Sequence, residues 1–203
     1  MRRFLVGLIA AAVATIGFGG AGAFASSDHW QLASGSAQES GGVAAFSFAV
    51  PDKVRLLFNS KDAAMLGNQS ESAMSATFTV ADVTGTFTYG GEPSCGGTTG
   101  NVRLYFESIP PGTQFAFTNY WWADAASYSL ANGTVTISAI VDPTLGQWSD
   151  WNGQPSSGNT TAFNAAATNV TAVGLSFGGG CFFENGVGTT DGSGSFTLSD
   201  FAS

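Results

Sequence analysis

Hydrophobic and polar residues alternate along much of the chain, with the two-residue period of β-strands that bury one face. In one such run, Met74, Ala76, Phe78 and Val80 alternate with serine and threonine residues. The same reading predicts further short strands in the stretches 43–50, 53–58, 83–89, 102–106, 134–141, 170–177 and 196–198. The pattern therefore predicts a protein built mainly of short β-strands.

Turn-forming residues separate these runs. Glycine, proline, asparagine and aspartate fix or permit the backbone angles that turns require, and they cluster at 41–42, 110–112 and 178–180. The short link Ala81-Asp82 predicts a hairpin or a bulged continuation between its two strands. The alanines in 163–168 favour one or two helical turns, and residues 60–72 are predicted to form a loop or a short helix.

Short strands at regular spacing, with almost no amphipathic helix, are typical of an antiparallel two-sheet β-sandwich or jelly roll. No repeat of fixed period occurs in the sequence, and no linker or change of composition divides it after residue 25. We therefore expect residues 26–203 to form a single all-β domain.

Two tryptophans lie in a stretch that has no strand period. Trp148 and Trp151 belong to residues 145–153, between Pro143 and Pro155. Proline and the Asn-Gly pair within this stretch disfavour helix and strand, so the sequence predicts a loop that exposes both indoles on a β-scaffold. The segment 119–124 is its expected partner. There Trp121 and Trp122 must point to opposite faces if the segment is extended, so at least one is expected in the core.

The charge balance limits the partners of this chain. Its 203 residues are 44% hydrophobic and only 10% charged, with a formal net charge of −8, whereas an average soluble domain has about 25% charged residues. Outside the N-terminal segment its basic residues are Lys53, Arg55, Lys61 and Arg103. Nucleic acid is therefore excluded as an expected partner, because phosphate binding requires a basic patch.

The N-terminus has the three parts of a secretory leader. Arg2-Arg3 precedes an apolar run from Phe4 to Phe18, and Ala23-Phe24-Ala25 follows. We predict that residues 1–25 are a signal peptide, exported by the general or the twin-arginine route, and that the mature protein is extracellular without stable membrane insertion. The alternative is an uncleaved anchor, which the short glycine-rich run disfavours.

The chain has two cysteines, Cys95 and Cys181. In an oxidising compartment a single pair favours a disulfide, which would stabilise so long a loop by about 4–5 kcal/mol in a chain-entropy model. A zinc site is the weaker alternative, because the only histidine in the sequence is His29 and zinc needs further ligands.

The tryptophans and their polar neighbours carry the main prediction about function. A sugar ring presents C–H groups that pack on an indole, while carboxylates and amides bind its hydroxyls. We therefore predict a saccharide or a cell-surface glycan as the ligand. The expected ligand-binding residues are Trp121, Trp122, Asp124, Trp148, Asp150, Trp151 and Asn152. The alternative is that the tryptophans only fill the core, and the loop position favours exposure for Trp148 and Trp151.

The second half of the chain resembles the galactose-binding-like, discoidin-related jelly rolls of bacterial secreted proteins. The resemblance covers residues 104–201. The segments that carry it are Tyr120-Trp121-Trp122, Trp148-Ser149-Asp150, Gly153, Phe163, 173–180, 186–188 and the last strand, 196–198. It implies a β-sandwich whose end loops or concave face bind saccharide, often with a structural calcium. No ligand residue of that family can be transferred to a position of this chain.

Other chemistries have weaker support. Asp150, Asn152 and Asp191 have the oxygen ligands that calcium prefers, but they lack the spacing of an EF-hand loop. A glycosidase needs two carboxyl groups ~5–9 Å apart, and Glu107, Asp124, Asp150 and Glu184 are candidates that spacing alone cannot pair. Solvated or turn-capping roles are the ordinary alternative for these acids. Histidine-dependent hydrolysis is disfavoured, because His29 is the only histidine and no nucleophile-elbow motif occurs.

The sequence thus favours a secreted, non-catalytic carbohydrate-binding or surface-recognition β-sandwich that requires no cofactor. An extracellular structural or adhesive protein that binds another protein is the main alternative. A glycoside hydrolase with paired carboxylates is the third.

Overall fold

The computed structural model describes residues 29–33, 38–40, 43–48, 54–89, 99–110, 112–124, 126–179, 183–190 and 193–203. The predicted leader, Cys95, Cys181 and Asp191 lie outside these residues. Leader cleavage, the disulfide and the role of Asp191 therefore stay predictions.

Within these residues the chain forms fourteen strands and one α-helix. The strands are β1 (Trp30–Ala33), β2 (Gln38–Ser40), β3 (Val43–Phe48), β4 (Leu56–Asn59), β5 (Ala73–Ala81), β6 (Phe87–Tyr89), β7 (Asn101–Glu107), β8 (Tyr120–Ala123), β9 (Tyr128–Ser129), β10 (Gly133–Ile140), β11 (Trp148–Asp150), β12 (Ala172–Gly178), β13 (Val187–Thr189) and β14 (Gly194–Ala202). The helix α1 spans Thr160–Ala167.

Most of these strands belong to two antiparallel sheets. Sheet I has the order β1-β4-β12-β7-β8-β11, and β9 also pairs with β7. Sheet II has the order β10-β5-β14-β3-β2, while β6 and β13 form a separate two-stranded pair. Neighbours in both sheets are often far apart in sequence, so long-range pairing defines the fold.

The core lies between the inner faces of the two sheets. Phe177 of sheet I packs edge-on against Phe46 and Phe196 of sheet II, with ring centroids 5.6 Å and 5.3 Å apart. Leu175 and Phe78 contribute to the same cluster and are fully buried. Each such side chain contributes about 1.5–3 kcal/mol through burial. The predicted antiparallel all-β sandwich is confirmed.

The predicted link between the strands at 73–81 and 83–89 is wrong. β5 lies between β10 and β14, whereas β6 pairs with β13. The backbone has a positive φ at Asp82 (54°) and at Gly85 (77°), and such angles turn the chain away from the extended direction. The two strands therefore neither pair with each other nor continue one another.

The predicted helical turns at 163–168 are confirmed by α1. Phe163 anchors this helix, because its ring packs against Trp121 at 4.9 Å and Phe106 at 5.5 Å between centroids. Residues 60–72 form turns, as the loop alternative predicted. No helix in the described part of the chain has the length and hydrophobicity of a membrane span.

Candidate functional site

The outer face of sheet I carries a second hydrophobic cluster, separate from the core. A cross-strand row of paired residues runs through Ser149, Trp122, Tyr105, Gly174 and Phe58. Successive side chains of a strand point to opposite faces, so these residues face away from sheet II. Tyr105 and Trp122 are nevertheless buried, because neighbouring loops cover them.

The four tryptophans in the predicted binding segments divide between the two faces. Trp121 and Trp148 are fully buried in the core. Trp122 belongs to the outer cluster, and the half-buried Trp151 packs against it. The prediction that Trp121 and Trp122 point to opposite faces is confirmed. The predicted exposure of Trp148 is wrong, and neither core tryptophan has a free ring face for a ligand.

The loop predicted at 145–153 contains a strand. Residues 148–150 form β11, which pairs with β8 at the edge of sheet I. The indole N–H of Trp148 donates to the carbonyl oxygen of Ile140 at 2.7 Å, and its ring packs against Phe106 and Phe163. The burial of Trp148 and the pairing of β11 with β8 therefore make this segment a strand, although turn-forming residues flank it.

Asp150 shapes the turn that presents Trp151. Its Oδ1 accepts hydrogen bonds from the backbone N–H groups of Asn152 and Gln154, both at 2.9 Å. Asp150 is itself buried, whereas Asn152 is exposed. The carboxylate thus stabilises the turn, as the turn-capping alternative predicted.

Six aromatic side chains form a continuous patch over the outer face of sheet I. We call this set the aromatic patch: Phe115, Phe117, Tyr120, Trp122, Trp151 and Phe183. Trp151 is its centre, because its ring centroid lies 5.1 Å from Trp122, 5.3 Å from Tyr120 and 5.4 Å from Phe115. Trp122 also contacts Phe183 at 5.9 Å, and Phe115 contacts Phe117 at 5.6 Å.

A cavity of about 120 Å³ opens at one end of the aromatic patch. Its aromatic lining comes from Trp122, Trp151 and Phe183. Arg55, Gly153, Glu184 and Asn185 also line it. The cavity thus combines apolar ring faces with a cation, a carboxyl group and an amide.

The loop at 183–186 forms one side of this cavity because β12 has small residues on its outer face. The hydroxyl of Ser176 donates to the carbonyl oxygen of Phe183. A Cβ on Gly178 would lie only 2.6 Å from that same oxygen, so only glycine allows this close approach. The ring of Phe183 lies over the guanidinium of Arg103, with Cζ 3.9 Å from the ring centroid, a cation–π arrangement.

Two glutamates interact on this face. Burial raises the pKa of Glu184 to about 7, helped by the negative charge of Glu107 and opposed by the positive charge of Arg55. Burial also raises the pKa of Glu107, although a hydrogen bond from the hydroxyl of Tyr120 counteracts it. The pKa of Tyr105 is raised well above its ordinary value, first by complete burial and then by both glutamates.

Asp124 follows β8 and interacts with Arg103. Partial desolvation raises the pKa of this carboxyl group, while the neighbouring Ser149 hydroxyl and the charge of Arg103 lower it. Burial also lowers the pKa of Arg103. Asp124 therefore belongs to the outer face of sheet I, but it does not line the cavity.

The described residues contain no group of three or more His, Cys, Asp or Glu side chains that could hold a metal ion. Of the residues predicted for calcium, Asp150 binds backbone N–H groups and Asn152 lies on the exposed side of the same turn. Calcium binding stays a prediction.

The sequence reasoning missed half of the aromatic patch. Phe115 and Phe117 were not among the predicted binding residues, and Tyr105 was predicted only as part of a strand. Phe183 and Asn185 gave no signal, since they lie in a glycine-rich segment without periodicity. The period of β7 does place Tyr105 and Glu107 on one face, but it does not show which loops cover that face.

Comparison of the chain with models of protein families, with curated proteins and with solved structures finds no match.

Proposed function

We propose that this protein binds saccharides at the aromatic patch and the adjoining cavity. The observation that carries the proposal is that Trp122, Trp151 and Phe183 line one cavity together with Arg55, Glu184 and Asn185. Ligand sites typically combine mostly apolar walls with a few polar groups. The half-buried indole of Trp151 suits the C–H face of a sugar ring, and the polar side chains suit its hydroxyl groups.

Unpaired polar atoms at the site support a polar ligand. Within the described residues, the Trp122 indole N–H, the Tyr105 hydroxyl and the Oε2 atom of Glu184 are buried without a hydrogen-bond partner. Such groups are uncommon in folded proteins. Trp122 and Glu184 line the cavity, and Tyr105 pairs with Trp122 across β7 and β8, so polar groups without a protein partner lie beside the cavity.

A protein partner is the alternative that the exposed phenylalanines allow. Phe115 and Phe117 are each about half exposed, at 49% and 50%, and interface centres are rich in aromatic residues. The saccharide proposal has the stronger support, because a concave site with unpaired polar groups suits a small polar ligand better than a flat protein surface. The resemblance to galactose-binding-like jelly rolls agrees with it, and we propose secretion as its setting.

Trp151→Ala tests the binding proposal. We expect Trp151→Ala to weaken glycan binding by about 1–3 kcal/mol, as truncation of central interface aromatics does. A glycan array followed by isothermal titration with the best ligand measures this change. Thr136→Ala on the outer face of sheet II is the control, since it removes only an exposed hydrogen bond to Thr77. Absence of binding to any glycan would reject the proposal.

Glycoside hydrolysis is a second candidate, favoured by Glu184. This residue lines the cavity, and its pKa of about 7 would leave about half of it protonated at neutral pH, in the range that suits a general acid. Glu107 lies close enough for its charge to act on Glu184. Release of reducing ends from the polysaccharides that bind on the array tests this activity. Binding of a polysaccharide without release of reducing ends would mean that the protein is a non-catalytic binding module.

A further inference from the structure

We propose that the ligand is an extended glycan chain that lies along the aromatic patch from the cavity to Phe117. This inference rests on the proposed function and specifies its substrate class: internal stretches of a linear oligosaccharide or polysaccharide, as opposed to a single terminal sugar.

The aromatic patch is longer than its cavity. From Phe183 the rings continue through Trp122, Trp151 and Phe115 to Phe117, with successive centroid distances of 5.9, 5.1, 5.4 and 5.6 Å. Only the first three rings line the cavity, so a ligand confined to the cavity would not reach the two phenylalanines.

The cavity is too small to enclose a large ligand. Pockets that bury drug-sized molecules measure about 300–1,000 Å³, whereas this cavity measures about 120 Å³. A ligand of several sugar units must therefore lie across the surface, with one unit in the cavity and the others over exposed rings. Among the described residues, Phe115 and Phe117 are the large exposed aromatic side chains next to it.

The segment that carries these phenylalanines is fixed to the rest of the site. The backbone N–H of Trp151 donates to the carbonyl oxygen of Phe117 at 3.3 Å, which joins the two parts of the patch directly. The indole N–H of the core residue Trp121 donates to the carbonyl oxygen of Thr118 at 2.9 Å. The side-chain amide of Asn119 donates to the carbonyl oxygen of Ser108. Aromatic residues on a fixed segment bind with a smaller loss of conformational entropy than residues on a mobile one.

The charges along the patch favour a neutral chain. Glu184 lies in the cavity and Glu107 on the neighbouring part of the same face, and the whole chain has a formal net charge of −8. Arg55 is the cation that lines the cavity. The described residues of this face therefore show no excess of positive charge that would attract an anionic polysaccharide, and neutral glycan chains are the expected ligands.

Titration with oligosaccharides of increasing length tests the inference. We expect the affinity of the wild-type protein to rise from the monosaccharide to the hexasaccharide of the glycan type that binds best. Phe117→Ala should weaken hexasaccharide binding about fivefold or more, as loss of an interface aromatic does, and should weaken monosaccharide binding by a smaller factor. Trp151→Ala should weaken binding at every length, and Thr136→Ala at none.

The outcomes separate this inference from the proposed function. Equal affinity for the monosaccharide and the hexasaccharide would overturn the extended-chain ligand while leaving saccharide binding intact. Unchanged hexasaccharide affinity in Phe117→Ala would overturn it as well, provided that thermal melts show the variant folded. No binding to any oligosaccharide in the series would reject both.

Discussion

Trp148 and Trp151 have different roles because one lies within a strand and the other just after it. Trp148 is the first residue of β11 and is fully buried between Phe106 and Phe163. Trp151 lies beyond the strand, on the outer face. Only three positions separate them, yet one stabilises the core and the other is available to a ligand.

Trp148→Ala is expected to lower the free energy of unfolding by about 3–5 kcal/mol, the usual cost of truncating a buried tryptophan. It also leaves the carbonyl oxygen of Ile140 without its indole donor. Trp151→Ala is expected to cost less than half as much, since that ring is only half-buried. Urea denaturation of both variants measures the difference. Equal losses would show that the outer cluster stabilises the fold as strongly as the core does.

Glu184 should make stability depend on pH. Its pKa is about 7 in the folded protein against 4.5 when it is solvated. The folded protein therefore favours the protonated carboxyl group. The resulting stabilisation is fully present below pH 4.5 and is lost as the pH rises through about 7. The loss is at most about 3 kcal/mol, and partial solvent access reduces it.

Glu184→Gln removes the ionisation and is expected to flatten this part of the profile. At pH 5 the melting temperature of the variant should be close to that of the wild type. At pH 8 the variant should melt at a higher temperature than the wild type does. Thermal melts across this range provide the measurement. Glu107 and Arg55 act on Glu184 with opposite signs, and both remain in the variant. An identical pH dependence in the two proteins would contradict the assignment.

At the scale of elements, β12 is the central strand of sheet I, and every residue in it is buried. It pairs with β4 on one side and β7 on the other. Its inner face has the large residues Val173, Leu175 and Phe177, while its outer face has Ala172, Gly174, Ser176 and Gly178. The small outer residues leave room for the loop that carries Phe183.

Gly174→Ala should destabilise this strand. A Cβ at Gly174 would overlap the carbonyl oxygen of Leu57 and lie 2.8 Å from the Cα of Phe58. Both are backbone atoms of β4, so the substitution must shift the pairing of the two strands. We expect a loss of about 1–3 kcal/mol or more, in the range of overpacked cores.

Gly158→Ala is the matched control for Gly174→Ala, because its nearest neighbour is a side-chain atom of Pro155 at 3.9 Å. Thermal melts should show a large decrease for Gly174→Ala and almost none for the control. Equal melting temperatures in all three proteins would mean that β4 and β12 accommodate the methyl group.

At the scale of the molecule, two distant parts of the chain meet beside β6. A Cβ on Gly179 would lie 2.5 Å from the Tyr89 ring and 2.9 Å from the carbonyl oxygen of Thr99. Tyr89 and Thr99 lie on either side of the segment that contains Cys95, and Gly179 lies shortly before Cys181. The described residues next to the two cysteine segments are therefore close in space.

This proximity makes the predicted Cys95–Cys181 disulfide testable at the level of the whole chain. We expect the exported protein to gain mass from two alkyl groups only after reduction. Mass spectrometry of the unfolded protein, alkylated with and without reductant, provides the measurement. Alkylation of both thiols without reductant would reject the bond. If the bond forms, reduction should lower the melting temperature, since the cross-link restricts the unfolded chain.

The sequence by itself determined the class of fold and several of its elements. Alternation in 74–80 and 134–141 predicted β5 and β10, and the alanines in 163–168 predicted α1, because periodicity and propensity are local properties. The extended geometry of β8 also placed Trp121 and Trp122 on opposite faces, as their adjacency required.

Only the tertiary structure decided which face of sheet I bears the site and which residues form it. Local residues favoured a loop at Trp148, but pairing with β8 and packing on Phe163 made it a buried strand. Phe115, Trp151 and Phe183 come from three separate loops, and no spacing in the sequence relates them. Their proximity arises from strand order and from the covering of the small residues of β12, which are long-range properties of the folded chain.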